Sequence, residues 1–338
     1  MINTRPLAFL VVVALAAASL AADDAKEFRN DLRKAQSKQT LKQYKDCVKL
    51  CDELLARYKD AAQVREVTML KAEVLALDGQ PEAALKLFTT LAEAPAEDKA
   101  LQAAALLRAA DILIEMKKAP EARAELVRLI CSCPLRPELC QQAQARIVES
   151  YRAQSQWPEA LGAARILYDA AGDEQPNRAA AQAVAQAFLA ADGTLVRANE
   201  FLAFQSHGPA GPDGKPGTPD DIAVNHLAKV KYPPFDDAAS KLFQAALDAQ
   251  TKSYEGYRAK GFLYVYWGKP KEAAGQFLLA FKAASLPQVA AAAQELVLVG
   301  IKAHTASFRG LDRVFEFINH GPKGKSGTET IPDPFAGL

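Results

Sequence analysis

The chain contains five cysteines, which could form disulfides, bind a metal or lie buried as small apolar residues, and their spacing distinguishes these roles. Cys131, Cys133 and Cys140 cluster around two prolines at the junction of two predicted helices. A disulfide from Cys140 to Cys131 or to Cys133 would join these helices in an oxidising compartment. No histidine is near enough in sequence to complete a zinc site. Cys47 and Cys51 are four residues apart on a predicted helix, which favours burial as small apolar side chains.

Two Gly- and Pro-rich loops carry the next candidates. In the first loop, Asp213, Asp220 and Asp221 offer the carboxylate oxygens that Ca²⁺ prefers, although their spacing does not match an EF-hand. His207 begins this loop and His320 begins the second, each directly after a predicted helix. A histidine in that place can hydrogen-bond the last helix carbonyls, and we favour this capping role over a ligand or general base.

The sequence contains no recognisable catalytic pattern. Four histidines leave no legible Ser-His-Asp or Cys-His arrangement, and neither a phosphate-binding loop nor His-Glu-x-x-His occurs. The chain has 41 Lys and Arg against 40 Asp and Glu, with no extended basic run to attract nucleic acid. We therefore expect a protein that is not an enzyme, requires no cofactor or metal, and does not bind nucleic acid.

Aromatic side chains concentrate in one stretch of the chain, between residues 254 and 267. Most of them fall at positions where helices pack against each other. Tyr254, Tyr266 and Trp267 are the ones that we expect to protrude, because exposed aromatic residues often anchor a bound peptide. Together with His207 and His320, they are the predicted partner-binding residues.

The first 22 residues have the composition of a secretory signal peptide. Arg5 precedes an apolar run from Leu7 to Leu20, and small residues at Ala21 and Ala22 supply a cleavage site. The apolar run is short for a membrane span of about 20 residues. We expect a protein that is exported to the periplasm or outside the cell, with no membrane span in the mature chain.

Four short strings recur along the chain, and each ends in alanine. A proline fits the first turn of a helix, where its missing N–H is not needed, and a glutamate suits the positive end of the helix dipole. Each string therefore predicts a turn followed by the start of a helix. The strings are Gln80-Pro81-Glu82-Ala83, Ala119-Pro120-Glu121-Ala122, Trp157-Pro158-Glu159-Ala160 and Lys269-Pro270-Lys271-Glu272-Ala273.

The last alanine of each string anchors a wider pattern that repeats about every 38 residues. Nine positions before it come Val74, Leu113, Tyr151 and Tyr264, and four positions after it come Leu87, Leu126, Ala164 and Phe277. This layout resembles the tetratricopeptide repeat, although that family repeats about every 34 residues. The resemblance implies an all-α solenoid of about eight helical hairpins that wind as a right-handed superhelix. Its anchors would be Cys47, Ala83, Ala122, Ala160, Ala198, Ala239, Ala273 and Leu311.

A longer duplication overlies these repeats. A shift of 113 residues places Tyr151 on Tyr264 and Gly162 on Gly275, and it brings the two His-Gly-Pro-x-Gly strings together. Since 113 is close to three repeats of 38, a block of three hairpins has been copied whole. The predicted order is a signal peptide at 1–22, hairpins at 23–144, hairpins at 145–235 that end in the loop 207–235, hairpins at 236–319, and a Gly- and Pro-rich tail at 320–338.

The resemblance implies a binding function. Exported tetratricopeptide proteins organise complexes of the bacterial cell envelope, so we expect a scaffold that binds a peptide or protein partner in a concave groove. One alternative is a structural or assembly protein whose Gly- and Pro-rich loops bind Ca²⁺ or a partner. A second alternative is an enzyme built on a helical-repeat body.

Overall fold

The computed structural model describes residues 24–93, 99–170, 231–296, 299, 321–323 and 327. Every regular element within these residues is a helix, as the sequence predicts, and none of them is a strand. None of the helices in these ranges has the length and apolarity that crossing a bilayer requires. The predicted signal peptide lies outside the described residues.

The chain divides into two compact units, Met1–Ile112 and Leu113–Leu338. Unit 1 contains α1 (24–40), α2 (Tyr44–Arg57), α3 (Ala61–Leu77), α4 (Pro81–Glu93) and most of α5 (Lys99–Glu115). The described helices of unit 2 are α6 (Ala119–Ser132), α7 (Pro137–Ala153), α8 (Trp157–Ala170), α9 (Asp237–Asp248), α10 (Tyr254–Tyr266), α11 (Pro270–Ala283) and α12 (Val289–Glu295). Neighbouring helices pack against each other within each unit, as α2–α3, α3–α4, α7–α8 and α10–α11 show, which is compatible with a helical solenoid.

Five of the turns between successive helices have the same backbone structure. Each contains one residue with a positive φ, and the N–H of the next residue donates to the carbonyl five positions back. This pair of features is the Schellman motif, which satisfies the last carbonyls of a helix and reverses the chain. The five residues are Lys42, Gly79, Lys117, Ser155 and Gly268. Their regular spacing confirms the predicted period.

The residues that begin the second helix of each hairpin are buried in a common register. In each of these helices, the residue five positions after the positive-φ residue of the turn is small and fully buried. The residue four positions later is buried as well. The small residues are Cys47, Ala84, Ala122, Ala160 and Ala273, and the later ones are Cys51, Phe88, Leu126, Ala164 and Phe277. Burial of Cys47 and Cys51 as small core residues is therefore confirmed.

The predicted anchor of the first string is wrong by one residue. Ala83 is exposed, whereas Ala84 is fully buried. The cause is the proline, which begins α4 at Pro81 but stands second in α6, after Ala119. Because proline is accepted in either position of the first turn, the string can slip by one residue relative to the turn that sets the packing.

A glycine in the first helix of one hairpin permits a large residue in the second. A Cβ built on Gly261 of α10 would lie 2.7 Å from the ring of Phe277, so only glycine allows this approach. The equivalent residues of the α7–α8 pair are Val148 and Ala164, both buried. The larger of the two equivalent residues is thus on the first helix in one hairpin and on the second helix in the other.

Helices far apart in the sequence also pack together in unit 2. The helix α9 contacts α6, and α10 contacts α8. Residues 231–236, which lead into α9, run along α8: a Cβ on Gly162 would lie 2.9 Å from Cδ of Pro233, and still closer to the carbonyl oxygen of Lys231. The helices of this unit therefore do not pack only against their neighbours in the sequence.

Candidate functional site

A cleft of about 250 Å³ opens in unit 2 between α6, the end of α7, the start of α8 and the residues leading into α9. Buried Val127 and Ile147 give it an apolar lining, and Arg123, Glu159 and Asp236 add charged groups. The other lining residues are Pro120, Ala124, Tyr151, Gln156, Pro234, Phe235 and Ala239. Apolar walls with a few polar groups are typical of a small binding site.

Arg123 is held in place by neutral partners. Its guanidinium lies over the ring of Tyr151, 4.1 Å from the centroid. Its Nη1 donates to Gln154 Oε1 at 2.9 Å and to Ser150 Oγ at 3.3 Å. The stacked ring and the two acceptors fix the cation without neutralising it.

Two carboxylates share the cleft with this cation. Burial raises the pKa of Tyr151, the positive charge of Arg123 lowers it, and the negative charges of Glu159 and Asp236 raise it, so both carboxylates act on the phenol. Asp236 also caps α9, since its Oδ1 accepts from the N–H of Ala239 at 2.7 Å. Among the described residues, no ion pair neutralises Glu159, Asp236 or Arg123. The cleft thus carries one positive and two negative groups.

The wall formed by residues 234–239 is positioned by a buried polar group beneath it. Tyr232 donates its hydroxyl to Asp169 Oδ2 at 2.9 Å. The Arg165 guanidinium lies over the face of the ring, 4.3 Å from the centroid, and its Nε lies 3.6 Å from the same carboxylate oxygen. Burial raises the pKa of Tyr232, with a further contribution from the charge of Asp169, so the phenol remains protonated and donates.

The predicted aromatic contacts with a partner lie elsewhere in unit 2. Tyr266 is only 1% exposed, so the expectation that it protrudes needs correction: its ring belongs to the core. Trp267 is half-buried and stacks on Phe243 with centroids 5.4 Å apart. Tyr254 is half-buried beside Arg258, whose guanidinium lies 5.4 Å from the ring centroid. None of the three predicted residues lines the cleft.

The cysteine cluster is brought together at the α6–α7 junction. Cys133 follows α6 and Cys140 lies in the first turn of α7, and Cys140 Sγ donates to the carbonyl oxygen of Cys133 at 3.3 Å. All five cysteines are free thiols in the structure. The hydrogen bond from Cys140 lowers the pKa of Cys133, whereas burial raises the pKa of Cys131 to about 12. Of the predicted pairings, the structure places Cys133 beside Cys140.

The remaining predicted site residues lie outside the described residues. These are the capping histidines His207 and His320 and the calcium candidates Asp213, Asp220 and Asp221. Within the described part of the chain, no group of three or more His, Cys, Asp and Glu side chains could hold a metal ion. Calcium binding by the loops remains a prediction.

Sequence reasoning did not identify the cleft. It interpreted Tyr151 as a packing residue and Glu159 as a helix-start residue, and it gave Arg123 and Asp236 no role. The signal that could have identified them is weak, because α6 and residues 234–239 are more than 100 positions apart. Only a prediction that α9 returns to α6 would have placed these groups together.

Comparison with known proteins adds no identity to this geometry. No family model, no curated protein and no solved structure matches the chain. A function for this protein must therefore be inferred from the chemistry of its own residues.

Proposed function

We propose that this protein is an exported scaffold of the tetratricopeptide type, which binds a peptide or protein segment in the cell envelope and catalyses no reaction. The regular turns and the buried register of the hairpins support a helical-repeat body. Such bodies work by presenting a surface to an extended partner. The signal-like residues 1–22 support the export.

The cleft beside Arg123 is the observation that carries the binding proposal. It combines apolar walls with charged groups that have no ion-pair partner among the described residues. Keeping such charges at the edge of a cleft gains little for folding, because exposed charges contribute about 0–1 kcal/mol even when paired. A ligand that supplied a counter-charge would use them.

A lysine or arginine side chain of a bound peptide suits this cleft best. Its methylene groups would lie on Val127 and Ile147, and its cation would face Glu159 and Asp236. The guanidinium of Arg123 already has the Tyr151 ring and two acceptors, whereas Glu159 accepts no hydrogen bond from a described residue. The two carboxylates therefore outweigh the one cation.

A display library of random decapeptides, selected on the purified protein, tests this proposal. We expect enrichment of peptides with a conserved Lys or Arg, and affinity that falls as salt is raised. Glu159→Gln should weaken the best peptide about tenfold, because a charge-assisted hydrogen bond contributes about 1.5 kcal/mol. Glu125→Gln is the matched control, since Glu125 is on α6 and outside the cleft lining. If no peptide is enriched, or if both variants bind alike, the proposal is wrong.

A further inference from the structure

One face of α8 is covered by an extended segment of the same chain. This face, here called the Gly162 face, consists of Gly162, Arg165, Ile166 and Asp169, and Ile166 is fully buried. The segment Tyr232–Phe235 lies along it: Pro233 contacts the helix backbone at Gly162, and the Tyr232 hydroxyl reaches Asp169. Glycine is required because any Cβ would meet the segment.

The described residues leave the equivalent face of α11 uncovered. A shift of 113 residues gives the Gly275 face, which consists of Gly275, Leu278, Leu279 and Lys282. No described atom lies within 4 Å of a Cβ built on Gly275. Leu279 is 40% exposed, although Ile166 at the equivalent position is fully buried. The described residues therefore cover this face on α8 but not at the equivalent positions of α11.

A segment of similar composition follows the second His-Gly-Pro loop, although the 113-residue shift does not align it with the first segment. Tyr232-Pro233-Pro234-Phe235 follows the first His-Gly-Pro loop, and Ile331-Pro332-Asp333-Pro334-Phe335 follows the second. Both have a large apolar or aromatic residue, two prolines and a phenylalanine in that order. The prolines favour an extended backbone in each segment, as a run along a helix requires.

The second segment and the Gly275 face carry opposite charges, which the first pair does not use. On the Gly162 face, Asp169 accepts the hydrogen bond from Tyr232. On the Gly275 face, the equivalent residue is Lys282, which is exposed and forms no ion pair with any described residue. The second segment has Asp333 between its prolines, where the first has no charge. The acidic residue of the segment is thus complementary in charge to the exposed lysine of the helix.

We propose that residues 331–335 dock on the Gly275 face of α11 within the same chain, as residues 232–235 cover the Gly162 face of α8. The polar contact differs between the two, because Asp333 follows Pro332 whereas Tyr232 precedes Pro233. Pro332 lies over Gly275, where the missing Cβ leaves room for its ring. Asp333 pairs with Lys282, and the apolar side chains of the segment cover Leu279.

A photo-crosslinker tests the docking in the full chain. Benzoylphenylalanine at position 279 should capture the C-terminal tryptic peptide, residues 326–338, in a monomeric product. The same crosslinker at position 286 is the control, because Leu286 is 92% exposed and lies beyond the end of α11. Mixing ¹⁵N-labelled with unlabelled protein shows whether the captured peptide comes from the same chain. Capture from a second copy, from both positions equally, or from neither position would overturn the proposal.

Substitution of the glycine gives a second test. Gly275→Leu places a side chain where the segment docks and should reduce the capture at position 279 at least fivefold. The helix itself should tolerate the leucine, because no described atom is near; unchanged helicity by circular dichroism verifies this. Ala283→Leu adds the same side chain at an exposed position of α11 and should leave the capture unchanged. Equal capture by both variants would overturn the proposal.

The ion pair can be tested by reversing its charges. Lys282→Glu should reduce the capture about threefold, and Asp333→Lys in the same chain should restore it, since the pair is surface-exposed and of modest strength. A double variant that captures no better than Lys282→Glu would contradict the placement of Asp333 at Lys282.

Discussion

The α7–α8 and α10–α11 hairpins share one register but differ in how their helices meet and in what covers them. Both have the same Schellman turn and a fully buried alanine at the start of the second helix, Ala160 or Ala273. At the equivalent positions, one hairpin has the buried residues Val148 and Ala164, whereas the other has Gly261 against Phe277.

This difference shows which features belong to the repeat and which belong to a single copy. The turn and the small anchor residue recur because they are needed to close any such hairpin. The contact between the helices needs only a constant total volume, so the large residue can sit on either side. The outer face of each second helix is free to diverge, because its neighbour is decided by the rest of the chain.

Removing the large ring from the α10–α11 contact should have the largest effect. Phe277→Ala is expected to lower the free energy of unfolding by about 4 kcal/mol, because the ring is fully buried. Adding Gly261→Val should recover about 1–2 kcal/mol, since it recreates the Val–Ala pair of the α7–α8 hairpin. Urea unfolding followed by circular dichroism measures both. A double variant no more stable than Phe277→Ala would show that the two contacts are not interchangeable.

The junctions that precede the two hairpins should respond differently to oxidation. Cys133 and Cys140 lie before α7 and at its start, whereas the equivalent residues at α10 are Ala246 and Ser253. Oxidised glutathione should convert the two thiols to a disulfide, releasing two reduced glutathiones and stabilising unit 2 by about 2.5 kcal/mol. Because the pKa of Cys133 is lowered, its thiolate should attack first, and the rate should rise with pH.

The melting temperature with and without dithiothreitol measures this stabilisation, and a peptide mass lower by two hydrogens identifies the bond. Cys140→Ala is the control, in which the difference should vanish. Persistence of the stabilisation in Cys140→Ala would contradict the pairing of Cys133 with Cys140.

The two equivalent glycines should respond unequally to the same substitution. Gly162→Ala is expected to destabilise the protein by about 2 kcal/mol, because its Cβ meets the backbone of residues 231–233. Gly275→Ala should change the stability by less than about 0.5 kcal/mol, because no described atom meets its Cβ and the gain in helix propensity offsets a weaker docking of residues 331–335. Thermal unfolding of the two variants side by side decides this, and a loss at Gly275 as large as the loss at Gly162 would refute the contrast between the faces.

Replacing Arg123, whose cation lies over the Tyr151 ring, should have the smallest effect on stability. Tyr264 at the equivalent position stacks on Trp267 instead of an arginine. Arg123→Gln is expected to cost about 0.5 kcal/mol and to raise the pKa of Tyr151 further, because the positive charge of Arg123 now lowers it.

The dependence of stability on pH follows from the direction in which the pKa of Tyr151 is shifted. The pKa of Tyr151 is already raised in the folded protein, so its contribution to stability is present below the unfolded value of about 10 and is lost as the pH rises through the folded pKa. Arg123→Gln should make this alkaline loss larger. Tyrosinate absorbance at 295 nm, compared with Tyr151→Phe, measures the titration. An unchanged pKa would mean that Arg123 does not act on this phenol.

The repeat could be predicted from the sequence because its signals are local. Proline and glutamate at a helix start, a small residue one turn later and a period near 38 do not depend on distant residues. The error at Ala83 arose within that local signal, since the proline tolerates two positions while the turn at Gly79 sets the packing. The prediction that Tyr266 lies on the surface was wrong, because the sequence does not distinguish a tyrosine in the core from one on the surface.

What the sequence by itself determined is the helical hairpin, with its turn and its small anchor residue. Only the tertiary structure decided which distant segments contact each hairpin. The helix α9 packs against α6, and Tyr232 bonds to Asp169. The cleft of Arg123, Glu159 and Asp236 forms where α9 approaches α6. The physical reason is the separation in sequence between the residues that interact. A turn and its register follow from hydrogen bonds within a few residues, whereas the cleft depends on contacts between segments more than 100 positions apart, which no local pattern specifies.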